Sequence, residues 1–138
     1  MCLFSIVVVH YQGTISQATF ERGIASLHAQ TFRDFEILCY HDGPLHRVGP
    51  QPVPIKTTDR RLNDFGHSLR DIGIREARGQ DSLHVNAENV LYPYALRTLA
   101  AEIRRAPCMF EAATRRPLEL DNNVIFPVLM CDMQRDLE

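Results

Sequence analysis

The chain of 138 residues is long enough for one domain with a substantial core and too short for two. Its hydrophobic content of 45% and charged content of 23% are ordinary for a globular protein, and its net charge of −2 offers no basic surface for nucleic acid or for a membrane. The composition therefore favours a small globular domain whose partners are neither nucleic acids nor membranes.

The cysteines are spread along the chain without paired spacing, at Cys2, Cys39, Cys108 and Cys131. This pattern predicts buried free thiols in a reducing compartment. Residues 1–5 lack a basic leader, and the apolar run over residues 4–9 is too short to cross a bilayer. We therefore expect a cytoplasmic protein without a membrane span.

The first part of the chain has the pattern of a βαβ unit. Residues 4–9 form a β-branched run of the kind that is buried on both faces of a parallel sheet, and residues 35–40 form a second strand. Between them, Thr14 or Ser16 is expected to cap a helix. The apolar side chains of that helix recur at helical spacing, at Phe20, Ile24 and Leu27. The two strands should be joined by a right-handed crossover.

The middle of the chain predicts an edge strand, a second helix and a further strand. Prolines interrupt residues 44–60, so a strand around residues 53–55 is expected only at a sheet edge, because proline donates no ladder hydrogen bond. A helix should follow Gly66, with Gly79 as its C-terminal stop. Residues 82–85 have strand character.

The last part of the chain predicts one clear helix and several weaker elements. After Pro93, an amphipathic helix should end before Pro107. Residues 109–113 and 123–126 are expected to form strands, and residues 128–138 could form a short helix.

Polar side chains follow the strand over residues 82–85. Asn86 and Glu88 are two residues apart, so in an extended backbone they would point to the same face. Ligands of α/β sheets usually sit at the carboxyl ends of the strands, and hard divalent cations prefer oxygen ligands. The alternative is a polar turn in which Asn86 or Asn89 caps the next helix. Taken alone, the stretch favours the polar turn.

Several short motifs occur in a characteristic order. The most specific is Ser-Leu-His-Ala-Gln-Thr, followed by Phe-Glu-Ile, over residues 26–37. The first strand ends in Val-His-Tyr-Gln at residues 9–12, and the second in His-Asp-Gly-Pro at residues 41–44. A helix with Gly, Arg-Asp and Gly at fixed spacing covers residues 66–79, before the polar residues 86–93. Together the motifs resemble the nucleotide-binding half of glycosyltransferases with the GT-A fold, of the inverting family 2 type.

The resemblance implies an α/β fold, a GT-A α/β/α sandwich with a mostly parallel sheet, as a single small domain over residues 1–138. Residues 3–105 would bind the nucleotide sugar, and residues 106–138 would be a truncated acceptor-side part. The donor would be a nucleoside-diphosphate sugar, with a UDP-sugar as the first expectation. The acceptor would be an unknown glycan or small molecule. A second copy of the chain, in a homo-oligomer, could supply the missing acceptor wall.

The resemblance also implies which residues bind the nucleotide. Asp42 would accept an N–H of the uracil edge, and Tyr11 would offer a flat face to the base. Arg70 would reach the base or the diphosphate. The other expected nucleotide contacts are Val9, His10, Asn86 and Ala87. Without the resemblance, Asp42 could form an Asx-turn with Gly43. Likewise, Tyr11 could plug the sheet edge and Arg70 could be a solvated helix residue.

The acidic pair that the family uses for a metal corresponds here to Asn86 and Glu88. Glu88 could coordinate Mn²⁺ or Mg²⁺, with Asn86, donor phosphates and water completing the shell. The metal would neutralise charge on the departing diphosphate. His41 stands where the family has an Asp, which makes the site less acidic. His41 and His46 lie in a proline-bounded loop, where histidines are more often solvent-exposed than metal ligands.

An inverting transfer also needs a carboxylate that takes the proton from the acceptor hydroxyl. The acids available after the polar stretch are Glu111, Asp121, Asp132 and Asp136. The segment Cys-Asp-Met at residues 131–133 is similar in position to the base of the family, and Asp121 and Asp132 are the candidate general bases. Each of these acids could instead be an ordinary solvated side chain.

Two functions from different classes remain open. The first is a glycosyltransferase that transfers a sugar with inversion from a nucleoside-diphosphate sugar. The alternative is a catalytically degenerate module that binds a nucleotide sugar or a partner, which the eroded acidic pair and the short acceptor part favour. A nucleotidyltransferase of similar topology is disfavoured, because no glycine-rich phosphate loop with a lysine follows the first strand.

Overall fold

The structure is a computed structural model that describes residues 2–46, 49–105 and 130–131. The helices and strands follow in the order β1 (Phe4–His10), α1 (Gln17–His28), β2 (Phe35–His41), β3 (Ile55–Thr57), α2 (His67–Glu76), β4 (Asp81–Asn86), β5 (Val90–Leu91), α3 (Ala95–Arg105) and β6 (Met130–Cys131). The described helices include none that is long and apolar enough to span a bilayer.

Two predictions for the last part of the chain differ in their outcome. The strands predicted over residues 109–113 and 123–126 lie outside the described residues. The short helix predicted over residues 128–138 is wrong at Met130 and Cys131, because these two residues form a strand that pairs antiparallel with β5. The rest of that predicted helix lies outside the described residues.

The main sheet has four strands in the order β3-β2-β1-β4, and every pair in it is parallel. The short strand β3 lies at the edge, as predicted, but it begins at Ile55, after the prolines, and does not cover residues 53–54. The chain leaves β1 toward β2 and β3 on one side and returns to pair β4 on the other side of β1. That reversal is a topological switch point, and in open α/β sheets ligands bind at such a point, outside the carboxyl ends of the strands.

Helices cover both faces of the sheet, so β1 is buried on both sides. Ile6 and Val8 face the larger core, where they pack with Ile24 of α1 and with the apolar side of α3. Val7 points to the opposite face, where it packs with Leu69 of α2. This alternation is the period of two that places successive strand side chains on opposite faces. The arrangement is the predicted α/β/α sandwich.

One predicted helix end is confirmed and another is wrong. Ser16 is the N-cap of α1, where its hydroxyl oxygen accepts a hydrogen bond from the Thr19 backbone N–H at 3.2 Å. The predicted stop at Gly79 is wrong, because α2 already ends at Glu76. Gly79 instead crosses β1 closely, and an added Cβ would lie 2.6 Å from the backbone nitrogen of Ser5. Close approach of two backbones, rather than helix capping, explains this glycine.

The end of α1 holds the segment after β4 in place. Gln30 is buried, its amide donates to the Tyr92 carbonyl at 2.7 Å, and its carbonyl oxygen accepts from the Leu96 N–H at 3.1 Å. Ser26 accepts a hydrogen bond from the Leu91 N–H at 3.1 Å. The Ser-Leu-x-x-Gln-Thr motif is therefore structural here, since its polar side chains fix the chain that leads from β4 into α3.

Candidate functional site

A cleft of about 640 Å³ opens at the carboxyl edge of the main sheet, beside the switch point. It is lined by the ends of β1, β2 and β4, by the start of α1 and by the segment that leads into α2. The lining residues are Val9, His10, Tyr11, Thr14, Ile15, Ser16, Thr19, Asp42, Arg61, Asn63, Phe65, Gly66, Arg70, Asn86 and Glu88.

The cleft brings together most of the residues that the sequence predicts for it. Val9, His10, Tyr11, Asp42, Arg70, Asn86 and Glu88 all line it. Ala87 does not line it, because its side chain is 2% exposed and belongs to the larger core. The candidate general bases Asp121 and Asp132 lie outside the described residues, as do Glu111 and Asp136.

Asp42 is the buried carboxylate of the cleft, with 6% of the residue exposed. Its two oxygens accept backbone hydrogen bonds from Leu62 at 2.7 Å and from Asn63 at 3.0 Å. The neighbouring Gly43 has a φ of 89°, a left-handed conformation that favours glycine, and its N–H donates to the Thr58 hydroxyl. Asp42 therefore bonds to a distant loop instead of turning locally on Gly43, and it fixes the wall of the cleft.

Tyr11 has a cation on its ring. The guanidinium carbon of Arg61 lies 3.7 Å from the ring centroid of Tyr11, and the Arg61 Nε lies 3.9 Å from an oxygen of Asp42. Gly13 lies against the same ring, because an added Cβ there would be only 2.3 Å from a ring carbon. One face of the Tyr11 ring is thus covered by Arg61.

His41 does not lie in a loop, which corrects the sequence-based expectation. It is the last residue of β2 and is 1% exposed. Its Nε2 accepts a hydrogen bond from the Gln12 N–H at 2.9 Å, and its Nδ1 lies 2.7 Å from the Gly43 carbonyl oxygen. This pairing assigns the proton to Nδ1 and uses both ring nitrogens, so neither is available to a metal. His46 is exposed, as expected.

His10 forms the floor of the cleft and is held neutral. Its ring stacks on Phe20 with centroids 4.2 Å apart and an angle of 7° between the planes. Burial, with a smaller contribution from His41, lowers the pKa of His10 to about 4. Its Nδ1 is buried and has no hydrogen-bond partner among the described residues. A neutral imidazole stacked on Phe20 therefore underlies this part of the cleft.

Arg70 is fixed across the mouth of the cleft by two hydrogen bonds. One guanidinium nitrogen donates to the Asn86 side-chain oxygen at 2.8 Å, and the other donates to the Phe65 carbonyl oxygen at 2.7 Å. The charge of Arg70 also acts on His84, which lies two residues before Asn86. Burial and Arg70 together lower the pKa of His84. Arg70 is consequently a positioned cation rather than a freely solvated helix side chain.

Asn86 and Glu88 both line the cleft, but not through an extended backbone. The strand β4 ends at Asn86, and the Asn89 N–H donates to the Asn86 carbonyl at 3.0 Å, which closes a turn. The polar-turn interpretation is thus correct for the backbone, although this turn does not cap α3, which begins only at Ala95. Glu88 is exposed and makes no hydrogen bond or ion pair with any part of the chain that the structure describes.

The side chains at this point do not fit a divalent cation held by the protein. The Asn86 oxygen already accepts from Arg70, and both oxygens of Asp42 accept backbone N–H groups. Among the described residues that line the cleft, only Glu88 offers a carboxylate without such partners, so the protein would supply a single anionic ligand and the other oxygen ligands would have to come from donor phosphates and water. Across residues 2–46 and 49–105, no group of three or more His, Cys, Asp and Glu side chains is placed to hold a metal.

Two residues in the cleft were not predicted from the sequence. Arg61 and Phe65 come from the segment between β3 and α2, where Asn63 and Phe65 have φ values of 52° and 59°. Phe65 is 90% exposed at the rim. A bulky residue in the left-handed region is unusual and commonly marks a constrained functional segment. The only sequence signal was Phe65, a large apolar residue that follows two polar ones in the stretch Leu-Asn-Asp-Phe-Gly at residues 62–66.

Comparison with protein-family models finds no match, and comparison with curated proteins finds no significant match. Solved structures do match. The crystal structure of S. aureus TarS 1–349 superimposes with a TM-score of 0.64 and 18% identity, over 75% of this chain and 32% of that one. Its complex with UDP gives a TM-score of 0.62 at 18% identity, over 75% and 32% of the two chains. Its complex with UDP-GlcNAc gives 0.61 at 18% identity, over 75% and 31%.

The comparison bears on the fold and on the extent of the chain. TarS is a glycosyltransferase with a GT-A fold of the family 2 type. The present chain spans about a third of the length of the TarS structure that it matches. An identity of 18% carries no statement about substrate or activity. The likeness and the parallel sheet together show that this small α/β domain has the GT-A fold.

Proposed function

We propose that the cleft binds a nucleoside-diphosphate sugar and that the protein is a glycosyltransferase that uses it as a donor. The observation that carries this proposal is the convergence of Tyr11, Asp42 and Arg70 in one cleft at the switch point of a GT-A fold. These three side chains offer an aromatic ring, a carboxylate and a cation. A nucleotide needs all three, for its base, for the N–H groups of the base and for its phosphates.

Each group would act on a different part of the donor. The carboxylate of Asp42 keeps lone pairs beyond the two backbone N–H groups it accepts, so it could also accept an N–H of uracil. Tyr11 would stack on the base once Arg61 has moved from its ring. Arg70 would face the diphosphate, because a guanidinium binds phosphate oxygens through paired N–H groups. These preferences support a UDP-linked donor.

The residues that would bind the donor all line the cleft, whereas the metal ligands and the general base that a transfer reaction needs are less complete. Glu88 alone carries the expectation of Mn²⁺ or Mg²⁺, since Asn86 is bonded to Arg70. An inverting transfer would also need a general base, for which Asp121 and Asp132 remain the candidates. The acceptor would be a glycan or small molecule, and a second copy of the chain could complete its binding site.

A specific observation favours the second function, a catalytically degenerate module that binds a nucleotide sugar or a partner. The residue at the usual acidic position, Asn86, forms a hydrogen bond to Arg70 and is not a free ligand. Such a module would keep nucleotide binding and lose turnover.

Two measurements on the same preparation distinguish these functions. Calorimetric titration with UDP should show binding, which Tyr11→Ala should weaken by about tenfold, since base–aromatic stacking contributes roughly 1–3 kcal/mol. Release of UDP from UDP-sugars, with UDP-GlcNAc tested first, should then reveal transfer or hydrolysis. Binding without release from any donor would select the binding module. No binding of UDP would reject both the UDP-linked transferase and the nucleotide-binding module, and would leave only a module that binds a partner.

A further inference from the structure

We propose that Arg70, oriented by Asn86, takes the place of a divalent cation in this cleft, so that the diphosphate is bound by a guanidinium and binding needs no metal. This inference rests on the proposed function and deepens it, because it specifies how the donor phosphates are held. It follows from the mismatch between the expected metal ligands and the hydrogen bonds that these side chains make.

The first step is the position of Arg70. Its guanidinium has five N–H donors, and the two hydrogen bonds to Asn86 and Phe65, at 2.8 and 2.7 Å, use only two of them. The remaining N–H groups belong to a side chain that lines the cleft. A planar cation with free donors and a fixed orientation is well suited to phosphate oxygens, because little side-chain entropy is lost on binding.

The second step is the charge of the partner. An aspartate at position 86 would form an ion pair with Arg70, and its charge would cancel that of the guanidinium. Asn86 offers the same oxygen at the same position without the charge. The carboxamide therefore orients Arg70 and leaves its positive charge available to an anion. This is a specific consequence of having Asn rather than Asp at this position.

The third step is the effect on a cation. A metal bound through Asn86 would have to share the oxygen with the Arg70 N–H and would sit beside a positive charge. Among the described residues that line the cleft, Glu88 is the only carboxylate without a hydrogen-bond partner, and a single carboxylate is a weak anchor for Mn²⁺ or Mg²⁺. The same side chains that suit Arg70 to a diphosphate therefore disfavour the metal.

The test compares UDP affinity in EDTA with UDP affinity in Mn²⁺, for the wild type and two aspartate variants. The affinity of the wild type for UDP should differ by less than about twofold between the two conditions. Arg70 binds the diphosphate, so removal of the metal takes away none of its contacts. Asn86→Asp should weaken binding in EDTA by at least about fivefold, through the new ion pair, and Mn²⁺ should restore it. Asn89→Asp adds the same charge outside the cleft lining and should behave like the wild type.

A second readout follows the metal instead of the affinity for UDP. With UDP present, electron paramagnetic resonance should show Mn²⁺ immobilised on the protein for Asn86→Asp, whereas the wild type should leave the spectrum of Mn²⁺ and UDP without protein unchanged. Wild-type UDP binding that falls tenfold or more in EDTA would overturn the inference while leaving the proposed function intact. Absence of UDP binding by the wild type in either condition would reject the proposed function itself. If Asn86→Asp does not fold, the wild-type comparison in EDTA and Mn²⁺ decides alone.

Discussion

The guanidinium of Arg61 lies on the ring of Tyr11, with its central carbon 3.7 Å from the ring centroid. This distance is one layer of van der Waals contact, about 3.5–4.0 Å between carbon atoms, so no second planar group fits between the two side chains. A base that stacks on this face of Tyr11 must therefore displace Arg61. The guanidinium occupies the position that such a base would take.

Arg61→Ala should bind uridine more tightly than the wild type does. A partly exposed cation–π contact contributes roughly 0.5–1 kcal/mol, so its removal should improve the dissociation constant of uridine by about two- to fivefold. Calorimetric or NMR titration with uridine, which lacks phosphates, isolates this contact from any attraction between Arg61 and a diphosphate. Arg60→Ala, at an exposed neighbouring position, is the matched control. Weaker uridine binding by Arg61→Ala would show that Arg61 contributes to the base site and does not block it.

Asp42→Asn should loosen the segment that carries Arg61 and should reduce UDP affinity. The carboxylate accepts the Leu62 and Asn63 N–H groups on separate oxygens, whereas an amide has one oxygen and leaves one of these groups unpaired. A buried polar group without a partner costs about 1–3 kcal/mol, so urea unfolding should show a loss of that size. UDP affinity should fall by about tenfold or more. Asp59→Asn, at an exposed position, should change neither quantity measurably.

Gly23→Ala should destabilise the protein through the turn that carries Glu88. A Cβ at position 23 would lie 2.4 Å from the carbonyl oxygen of Ala87 and 3.0 Å from that of Asn89, and both are backbone atoms that cannot rotate away. Overpacking of this kind typically costs about 1–3 kcal/mol. Arg22→Ala, on the exposed side of the same helix, should stay within about 0.5 kcal/mol of the wild type. Equal stability of the two variants would show that α1 can move away from the turn without cost.

The stability of the protein should decrease as the pH falls from 7.5 to 5.0. The pKa of His10 is about 4 in the folded chain and 6.5 as its ordinary value, so the unfolded chain takes up a proton in this range and the folded chain does not. The contribution of neutral His10 is complete above pH 6.5 and is lost as the pH falls toward 4. Between pH 7.5 and pH 5.0, His10 should therefore lower the free energy of unfolding by about 2 kcal/mol. The lowered pKa of His84 acts in the same direction.

His10→Phe provides the test of that pH dependence, because a phenyl ring can keep the stacking on Phe20 without a titrating group. Urea unfolding at both pH values should show a smaller decrease in the free energy of unfolding for the variant than for the wild type. His46→Phe removes an exposed histidine and should keep the wild-type slope. A variant slope equal to that of the wild type would assign the acid sensitivity to other groups.

The sequence predicts the layers of this fold well, because they depend on local patterns. The β-branched run that forms β1, the hydroxyl of Ser16 and the helical repeat around Ile24 each act within a few residues, and each appears where the pattern places it. The prolines before β3 predicted an edge strand there, and β3 does lie at the edge, two residues further along the chain than predicted. These features need no knowledge of distant contacts.

The predictions that were wrong or missing depend on contacts between distant segments. Gly79 resembles a helix stop in sequence, yet its role is to let the backbone approach Ser5 of β1 closely. His41 is buried only because Gln12 and Gly43 fold over it. Arg61 reaches Tyr11 through the conformation of a loop that Asp42 anchors. No local period or spacing in the sequence encodes these contacts.

The central claim is that one cleft at the carboxyl edge of the sheet receives a nucleoside diphosphate. A crystal structure of the protein grown with UDP tests it most directly. We expect the uracil ring on Tyr11 with its edge at Asp42, Arg61 displaced from the aromatic ring, and the diphosphate in contact with Arg70. UDP bound elsewhere on the molecule, or a cleft that stays empty at millimolar UDP with Arg61 still on Tyr11, would contradict the claim.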